Sequence, residues 1–327
     1  MSLIRKNTNS GTIESLLKLL LFFLWLILQS YWFLKHGVRV MGDTPNYLAY
    51  AQNIADRFYF ENNYYIKYFG YPLYLAFLMK AGLSLKGIVV VQILISGVAA
   101  VYLYKTTKLL AQNLLAPFIA TLIFISWYDL QMFNGFILTE SLYISCIILA
   151  FWLLVKAKNL KETYLVIPLL LFISVVRPNG FIVLTAYAAF IITYFFRKSK
   201  SYKIRVIILA SALIVPAIAV FVVDQYLLKS FTIVETYKKG QVIFMYDDLI
   251  VEPDKPVVMP PADASPLEKL YLFIRYNTSY FFRMAGLRFL LFWGHVKPYY
   301  SLFHNLIIAA VFYPLYFFTA KTMLSSK

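Results

Sequence analysis

Three ionisable residues lie where long apolar segments of the chain begin or end, and their side chains could carry out chemistry. Asp43 lies in the sequence VMGDTPNYLAYA, Glu140 in LTESLY and Arg177 in VVRPNG. A carboxylate can accept a proton from a reacting group, and a guanidinium can bind a phosphate through two parallel hydrogen bonds. Charges beside long apolar segments are costly unless they pair or face water, which makes these three residues functional candidates.

Each of the three residues also has a structural interpretation. Asp43 and Glu140 would favour the N-terminus of a helix through its dipole, with Thr44 and Thr139 as capping residues. Arg177 would extend its charge to the lipid headgroups. The functional interpretation therefore depends on all three residues lying at the same depth in the membrane. Five other charged residues are better explained as solvated loop residues: Glu61, Lys67, Asp129, Asp247 and Asp248.

The composition predicts an integral membrane protein. Of 327 residues, 61% are hydrophobic, 19% are aromatic and only 14% are charged. A soluble domain of this length cannot bury so much apolar surface. The net charge of +16 comes from lysines and arginines clustered between apolar segments, as in cytoplasmic loops beside anionic lipid, and it predicts no nucleic-acid partner. The single cysteine, Cys146, excludes a disulfide framework and a cysteine-rich metal site.

The apolar segments predict an all-α membrane protein with eight transmembrane helices. They cover residues 16–34, 88–104, 114–127, 138–155, 164–176, 181–196, 206–227 and 302–320. Basic clusters lie at residues 105–108, 156–161 and 197–205. If these clusters are cytoplasmic, the chain is a multi-pass protein of the cell (inner) membrane with both termini in the cytoplasm. The predicted domains are residues 1–227 with an outer loop at 35–87, a second outer loop at 228–300, and a last helix and tail at 301–327.

The predicted outer loops contain interfacial helices. Residues 44–58 have apolar side chains at helical spacing, which is typical of a helix lying on the membrane surface. Pro45 suits its first position. Residues 69–84 are apolar, but Pro72 starts this helix late and leaves it short for a crossing, so we predict a re-entrant or interfacial helix. In the second loop, residues 238–265 predict a small irregular or β-containing excursion, and residues 267–300 predict further interfacial helices.

Several short motifs follow one another in an order typical of one enzyme family. They are Gly42-Asp43 with Tyr47, then Tyr71-Pro72-Leu73, then Gln92 within a span, then Thr139-Glu140 and Arg177-Pro178. Over about residues 10–225, this order resembles the GT-C superfamily of polyprenyl-phosphate-sugar-dependent glycosyltransferases, in particular the protein O-mannosyltransferase and lipid A aminoarabinose transferase branch. The chain differs in two places. Thr44 follows Asp43 where the family often has glutamate, and Gly70-Tyr71 stands where the aminoarabinose branch has Glu-Lys before its proline.

The resemblance implies transfer of a sugar, with inversion, from a polyprenyl phosphate to a hydroxyl of a lipid, glycan or protein acceptor on the outer (periplasmic or lumenal) face. In that reaction Asp43 is the general base and Glu140 orients the acceptor or positions a cation. The donor phosphate and lipid would contact Arg177, Lys67, Arg39, Tyr47 and Tyr71. A phosphate monoester leaves readily because its second pKa is about 6. We therefore predict no metal ligand and no required cofactor, and leave open whether a divalent cation takes part.

Two alternatives come from other functional classes. A transporter or lipid flippase would carry ionisable residues near the bilayer midplane and broken helices in paired positions. The predicted spans are nearly free of charge in their middles, which disfavours this alternative. A non-catalytic scaffold subunit would use the outer loops only to hold a partner enzyme. Loss of sugar transfer on replacing Asp43 with asparagine would distinguish the enzyme from the scaffold.

Overall fold

The computed structural model describes residues 2–60, 64–111, 113–210, 234–243 and 246–325. Within these residues the regular structure is helical and there are no β-strands; two isolated β-bridges join Arg39 to Phe136 and Gln241 to Ile250. The chain forms two compact units, residues 1–209 and 210–327. The prediction of an all-α chain is thus confirmed for the described residues. The predicted domain boundary after residue 227 lies outside them.

Among the residues that the structure describes, five helices are long and apolar enough to cross a membrane. Their candidate spans are Gly11–His36 within α1 (Ser2–His36), Leu85–Ala111 (α4), Thr139–Lys156 (α7), Gly180–Lys198 (α10) and Leu302–Thr322 within α15 (Leu302–Ser325). Each of these five helices overlaps one predicted span along nearly the whole length of that span. These helices confirm the prediction of a membrane protein with transmembrane helices.

Three of the eight predicted spans are not among these five. Helix α5 (Leu115–Ser126) is followed, after a bend of 60°, by α6 (Tyr128–Gln131) and the 3-10 turn Met132–Gly135, and this bent pair would be a sixth span. Helix α9 (Ile167–Val176) has only 10 residues, about 15 Å of rise. It follows the short helix α8 (Leu160–Thr163) and a 3-10 turn. Of the predicted span 206–227, only residues 206–210 are described, and they belong to the helical segment 202–210 (α11).

Two shorter helices cover one end of the first unit. Helix α2 (Thr44–Arg57) buries Tyr47, Ala51 and Ile54, three of the four apolar positions that the sequence periodicity predicts. The fourth, Phe58, was wrong, because it follows the helix in a left-handed conformation and is 75% exposed. Helix α3 (Gly70–Lys80) packs on α2 and α9. A Cβ at Gly70 would lie 2.8 Å from a methyl carbon of Val175, so glycine permits the close approach of α3 to α9. With 11 residues, α3 is not among the candidate spans.

A buried amide network fixes the loop between the bent pair and α7. The Gln29 side chain donates to Gln131 at 2.6 Å, and Asn134 donates to Gln131 at 3.0 Å. The Ser141 hydroxyl donates to the side-chain oxygen of Asn134 at 2.6 Å. The Gln92 side chain donates to the backbone oxygens of Asn134 and Phe136. Since buried polar groups are stable only when they are hydrogen-bonded, this network holds α1, α4 and α7 around one loop.

The two ends of the first unit carry different side chains. Helix α1 and helix α4 run in opposite directions, and Lys108 near the end of α4 contacts Glu14 near the start of α1 at 2.5 Å. The predicted basic clusters lie in the last turns of α4, α7 and α10 and in the segments that follow α7 and α10. We call this the basic end. The other end contains the α1–α2 loop, the start of α7 and the end of α9; we call it the polar end.

The second unit contains the remaining helices. They are α12 (Glu235–Lys238), α13 (Pro266–Tyr276), α14 (Thr278–Gly294) and α15. The Ser265 hydroxyl accepts a hydrogen bond from the Glu268 amide and caps α13. Phe273 and Met284 are fully buried in the hydrophobic core of the second unit. The described part of the predicted excursion at 238–265 is irregular, with the Gln241–Ile250 bridge in place of strands.

Candidate active site at the polar end

The polar end is closed by direct pairing of two loops that are far apart in sequence. The Arg39 amide donates to the Gly135 oxygen at 2.8 Å, and the Ile137 amide donates to the Arg39 oxygen at 3.3 Å. The buried Thr44 hydroxyl donates to the Met41 and Ile137 oxygens at 2.8 and 3.1 Å. These bonds hold the start of α2 beside the start of α7.

Asp43 is presented at this junction with its carboxylate exposed. Gly42 has a φ of +59°, a left-handed conformation that favours glycine. Asp43 is the N-cap residue of α2, but it makes no side-chain capping bond. Its carboxylate instead accepts a hydrogen bond from the Tyr65 hydroxyl at 3.1 Å. The prediction that Thr44 caps α2 was wrong, because its hydroxyl anchors the α7 loop and Pro45 takes the second helical position.

Glu140 and Arg177 form an ion pair. The distance between Arg177 Nη1 and Glu140 Oε1 is 2.6 Å, and the two side chains are 30% and 23% exposed. The same Nη1 lies 3.4 Å from the Thr139 hydroxyl. Thr139 is the first residue of α7 rather than its cap, since Leu138 occupies the N-cap position. Because a guanidinium has five N–H donors and both contacts use Nη1, its other donors can bind an anion.

Tyr47 lies between these groups. It is 2% exposed, and its ring contacts those of Tyr65, Tyr68 and Tyr71 with centroids 5.4–5.7 Å apart. Burial, assisted by the negative charges of Asp43 and Glu140 and opposed by Arg177, raises the pKa of the Tyr47 hydroxyl. The three charged residues therefore act on one phenol. The structure brings Asp43, Glu140 and Arg177 together around Tyr47.

Lys67 also belongs to this group of side chains. It lies in the 3-10 turn Tyr64–Tyr68 and is partly buried. Burial lowers the pKa of the Lys67 amine to about 8, and the nearby charge of Asp43 opposes that shift. Lys67 was predicted both as a solvated loop charge and as a weaker phosphate-binding candidate. Its burial beside Asp43 favours the second interpretation, because a solvated lysine keeps its ordinary pKa.

Two other predicted site residues are used differently. The Arg39 guanidinium lies over the Phe136 ring at 4.9 Å and donates to the Tyr128 hydroxyl at 3.4 Å. The Tyr71 side chain is 0% exposed and donates to Gln92 at 2.8 Å. Both residues therefore stabilise the structure of the polar end, Arg39 through the loop pairing and Tyr71 through its hydrogen bond to the amide network. A direct contact of Tyr71 with a donor phosphate does not fit its burial.

Several residues of the site were not predicted from the sequence. Tyr65 binds Asp43 and accepts a hydrogen bond from Asn46 at 2.6 Å, but it is one of many tyrosines near predicted interfaces. Thr139 bridges Glu140 and Arg177. Gln29, Gln131 and Asn134 carry a usable signal, since each is an amide within or beside an apolar segment. Among the described residues, no three His, Cys, Asp or Glu side chains are grouped to hold a metal ion.

Comparison of the chain with protein-family models, with curated proteins and with solved structures gives no match. The functional argument therefore depends on the side chains of the polar end.

Proposed function

We propose that this protein is a membrane glycosyltransferase. It moves a sugar from a polyprenyl-phosphate donor to an acceptor hydroxyl on the outer face of the cell membrane, with a GT-C-like arrangement of eight spans and both termini in the cytoplasm. One observation supports this proposal above all. An exposed carboxylate, Asp43, lies with a partly buried ion pair, Glu140–Arg177, around one buried phenol at a single end of the bundle.

In the proposed reaction, Asp43 acts as general base. Its carboxylate takes the proton of the acceptor hydroxyl, and the acceptor oxygen forms a bond to the anomeric carbon of the sugar. The bond between that carbon and the donor phosphate oxygen breaks, and polyprenyl phosphate leaves with the electron pair. Inversion at the anomeric carbon follows from this single displacement. Asp43 suits the role because its carboxylate is exposed and makes no helix-capping bond.

The leaving phosphate gains charge as the bond breaks, so the site requires a positive charge there. Arg177 supplies it through the N–H groups that do not contact Glu140 or Thr139. Lys67 supplies a second charge below pH 8. Glu140 holds the Arg177 guanidinium in place. Phe58, which directly follows α2, and Phe77 of α3 are 75% and 72% exposed and offer an apolar surface for the polyprenyl tail.

The direct test is a transfer assay in membranes that contain the full chain, with radiolabelled polyprenyl-phosphate sugars as donors. Asp43→Asn is compared with Asp56→Asn. Both aspartates are exposed, lie at opposite ends of α2, and accept one side-chain hydrogen bond, from Tyr65 and from Gln52 respectively. An amide cannot take the acceptor proton, so we expect Asp43→Asn to reduce transfer about 100-fold or more and Asp56→Asn to leave it unchanged.

Expression and thermal stability serve as controls, because asparagine can accept the Tyr65 hydrogen bond and is itself a good N-cap residue. Near-normal transfer by a folded Asp43→Asn variant would remove Asp43 from the mechanism. The glycan that disappears when the gene is deleted then identifies the sugar and the acceptor.

A further inference from the structure

An apolar groove lies towards the basic end of the first unit, between α1, α4 and α5. Its volume is about 450 Å³, within the usual range of ligand sites. Lys18 and Lys105 lie on its border, and the wall is otherwise almost wholly apolar, with Leu21, Phe22, Trp25, Leu94, Val101 and Ile125 among its residues. The proposed active site at the polar end shares no residue with this groove.

Trp25 forms one wall of the groove by resting on a glycine. A Cβ at Gly97 would lie 2.7 Å from the Trp25 ring, so the indole packs directly on the α4 backbone. Leu94, Val98 and Val101 of α4 remain 54%, 47% and 52% exposed along the groove. Exposed apolar residues on spanning helices meet lipid chains, and a concave surface can hold one chain in a fixed position.

Three polar atoms of the lining have no hydrogen-bond partner within the described residues. They are the Trp25 indole nitrogen and the hydroxyl groups of Tyr104 and Thr121. Tyr104 and Thr121 are 4% and 3% exposed. Buried polar groups in proteins are almost always hydrogen-bonded, and an orphaned group requires an explanation. All three atoms are buried behind the surface of the groove, so a ligand in the groove cannot reach them, and the charge at its border selects the ligand instead.

The border of the groove is positively charged. Glu14 contacts Lys18 at 2.6 Å and Lys108 at 2.5 Å. Lys105 is exposed, with its amine 4.6 Å from the centre of the Tyr102 ring. Two of these lysines contact Glu14 and Lys105 lies over the Tyr102 ring, so three lysines and one glutamate give a local charge of +2 (3 − 1). Such a border attracts an anionic headgroup.

We propose that this groove binds one anionic glycerophospholipid from the leaflet at the basic end. One acyl chain lies along the exposed apolar residues of α4. The phosphate lies between Lys18 and Lys105. This site is separate from the donor site at the polar end, and it does not depend on the proposed transferase activity.

The test is native mass spectrometry of the full-length protein in detergent, with dioleoylphosphatidylglycerol or dioleoylphosphatidylcholine added. We expect one phosphatidylglycerol to be retained about tenfold better than phosphatidylcholine. Val101→Trp fills the mouth of the groove and should abolish this retention, whereas Val90→Trp, on an exposed position of the same helix outside the groove, should retain it.

Charge reversal provides a second, independent test at exposed positions of α4. Lys105→Glu should remove the preference for phosphatidylglycerol, while Lys86→Glu at the other end of the helix should keep it. Equal retention of the two lipids by the unaltered protein would overturn the proposal. So would equal losses in Val101→Trp and Val90→Trp, or an unchanged lipid preference in Lys105→Glu.

Discussion

The polar end and the basic end of the first unit both place charges of both signs beside a buried tyrosine, Tyr47 and Tyr104 respectively, but Tyr47 belongs to a cluster of four tyrosines. At the polar end, Glu140 and Arg177 are both partly buried and in contact, and Asp43 is held by Tyr65. At the basic end, Lys158, Arg197 and Lys200 are exposed. Glu14 contacts two lysines there, and although its own side chain is 15% exposed, those of Lys18 and Lys108 are 53% and 44% exposed.

This difference separates two uses of charge in a membrane protein. Exposed lysines interact with lipid headgroups and need no fixed geometry, because their charge acts over a Debye length. The polar end instead fixes its charges by backbone pairing between residues 39 and 135–137. Burial there also changes the titration of Lys67. A catalytic site requires this second arrangement, since acid–base and phosphate contacts depend on position.

The largest difference between the two ends is expected for arginine. Arg177→Ala should reduce donor use about 100-fold, because it removes the proposed stabilisation of the leaving phosphate. Arg197→Ala, at an exposed position of the basic end, should leave transfer unchanged. Initial rates measured over a range of donor concentrations check both. Similar losses in the two variants would show that the effect comes from membrane binding in general.

Arg177→Lys sharpens the same test. A lysine keeps the charge but cannot make two parallel hydrogen bonds, so only partial recovery is expected. Full recovery would assign Arg177 a purely electrostatic role.

The titration of Lys67 gives a pH-dependent prediction. Because burial lowers the pKa of this amine to about 8, its positive charge is present below pH 8 and lost above it. We expect donor use to fall through this pH range, to about half at pH 8 if the charge is essential. Lys67→Arg stays charged above pH 8 and should flatten the alkaline limb. An identical alkaline limb in the two proteins would exclude Lys67 from donor binding.

The smallest effect is expected for the hydroxyl that holds Asp43. Tyr65→Phe removes one hydrogen bond to the carboxylate, which is worth about 1 kcal/mol and thus about a fivefold loss of transfer. Tyr164→Phe, at an exposed tyrosine just before α9, is the matched control. A loss as large as that of Asp43→Asn would instead make Tyr65 a direct participant in the reaction.

The sequence predicted the elements whose patterns are local. Helices α4, α7 and α10 follow from uninterrupted apolar segments, and α2 follows from the spacing of Tyr47, Ala51 and Ile54. Apolar length alone did not predict the bend between α5 and α6, because Trp127 breaks the helix in an apolar stretch. It predicted the end of α9 at Val176 but not that this helix would begin only at Ile167 and have ten residues.

The positions of Asp43, Glu140 and Arg177 were predictable because each borders an apolar segment. Their contacts were not predictable in the same way. The Arg39–Gly135 pairing joins residues 96 apart (135 − 39), and the Gln29–Gln131 bond joins residues 102 apart. Such pairs depend on how the helices pack. The errors at Thr44 and Thr139 have the same cause, because both hydroxyls make tertiary contacts in place of local caps.

The most direct test of the central claim asks whether the polar end faces outward and the basic end faces the cytoplasm. Single cysteines at Met41 and Lys200, both exposed and at opposite ends, are placed in a chain whose only native cysteine, the buried Cys146, is replaced by alanine. Intact cells are treated with a membrane-impermeant maleimide. The account predicts labelling of Met41→Cys at once and of Lys200→Cys only after permeabilisation. Labelling of Lys200→Cys in intact cells would contradict it.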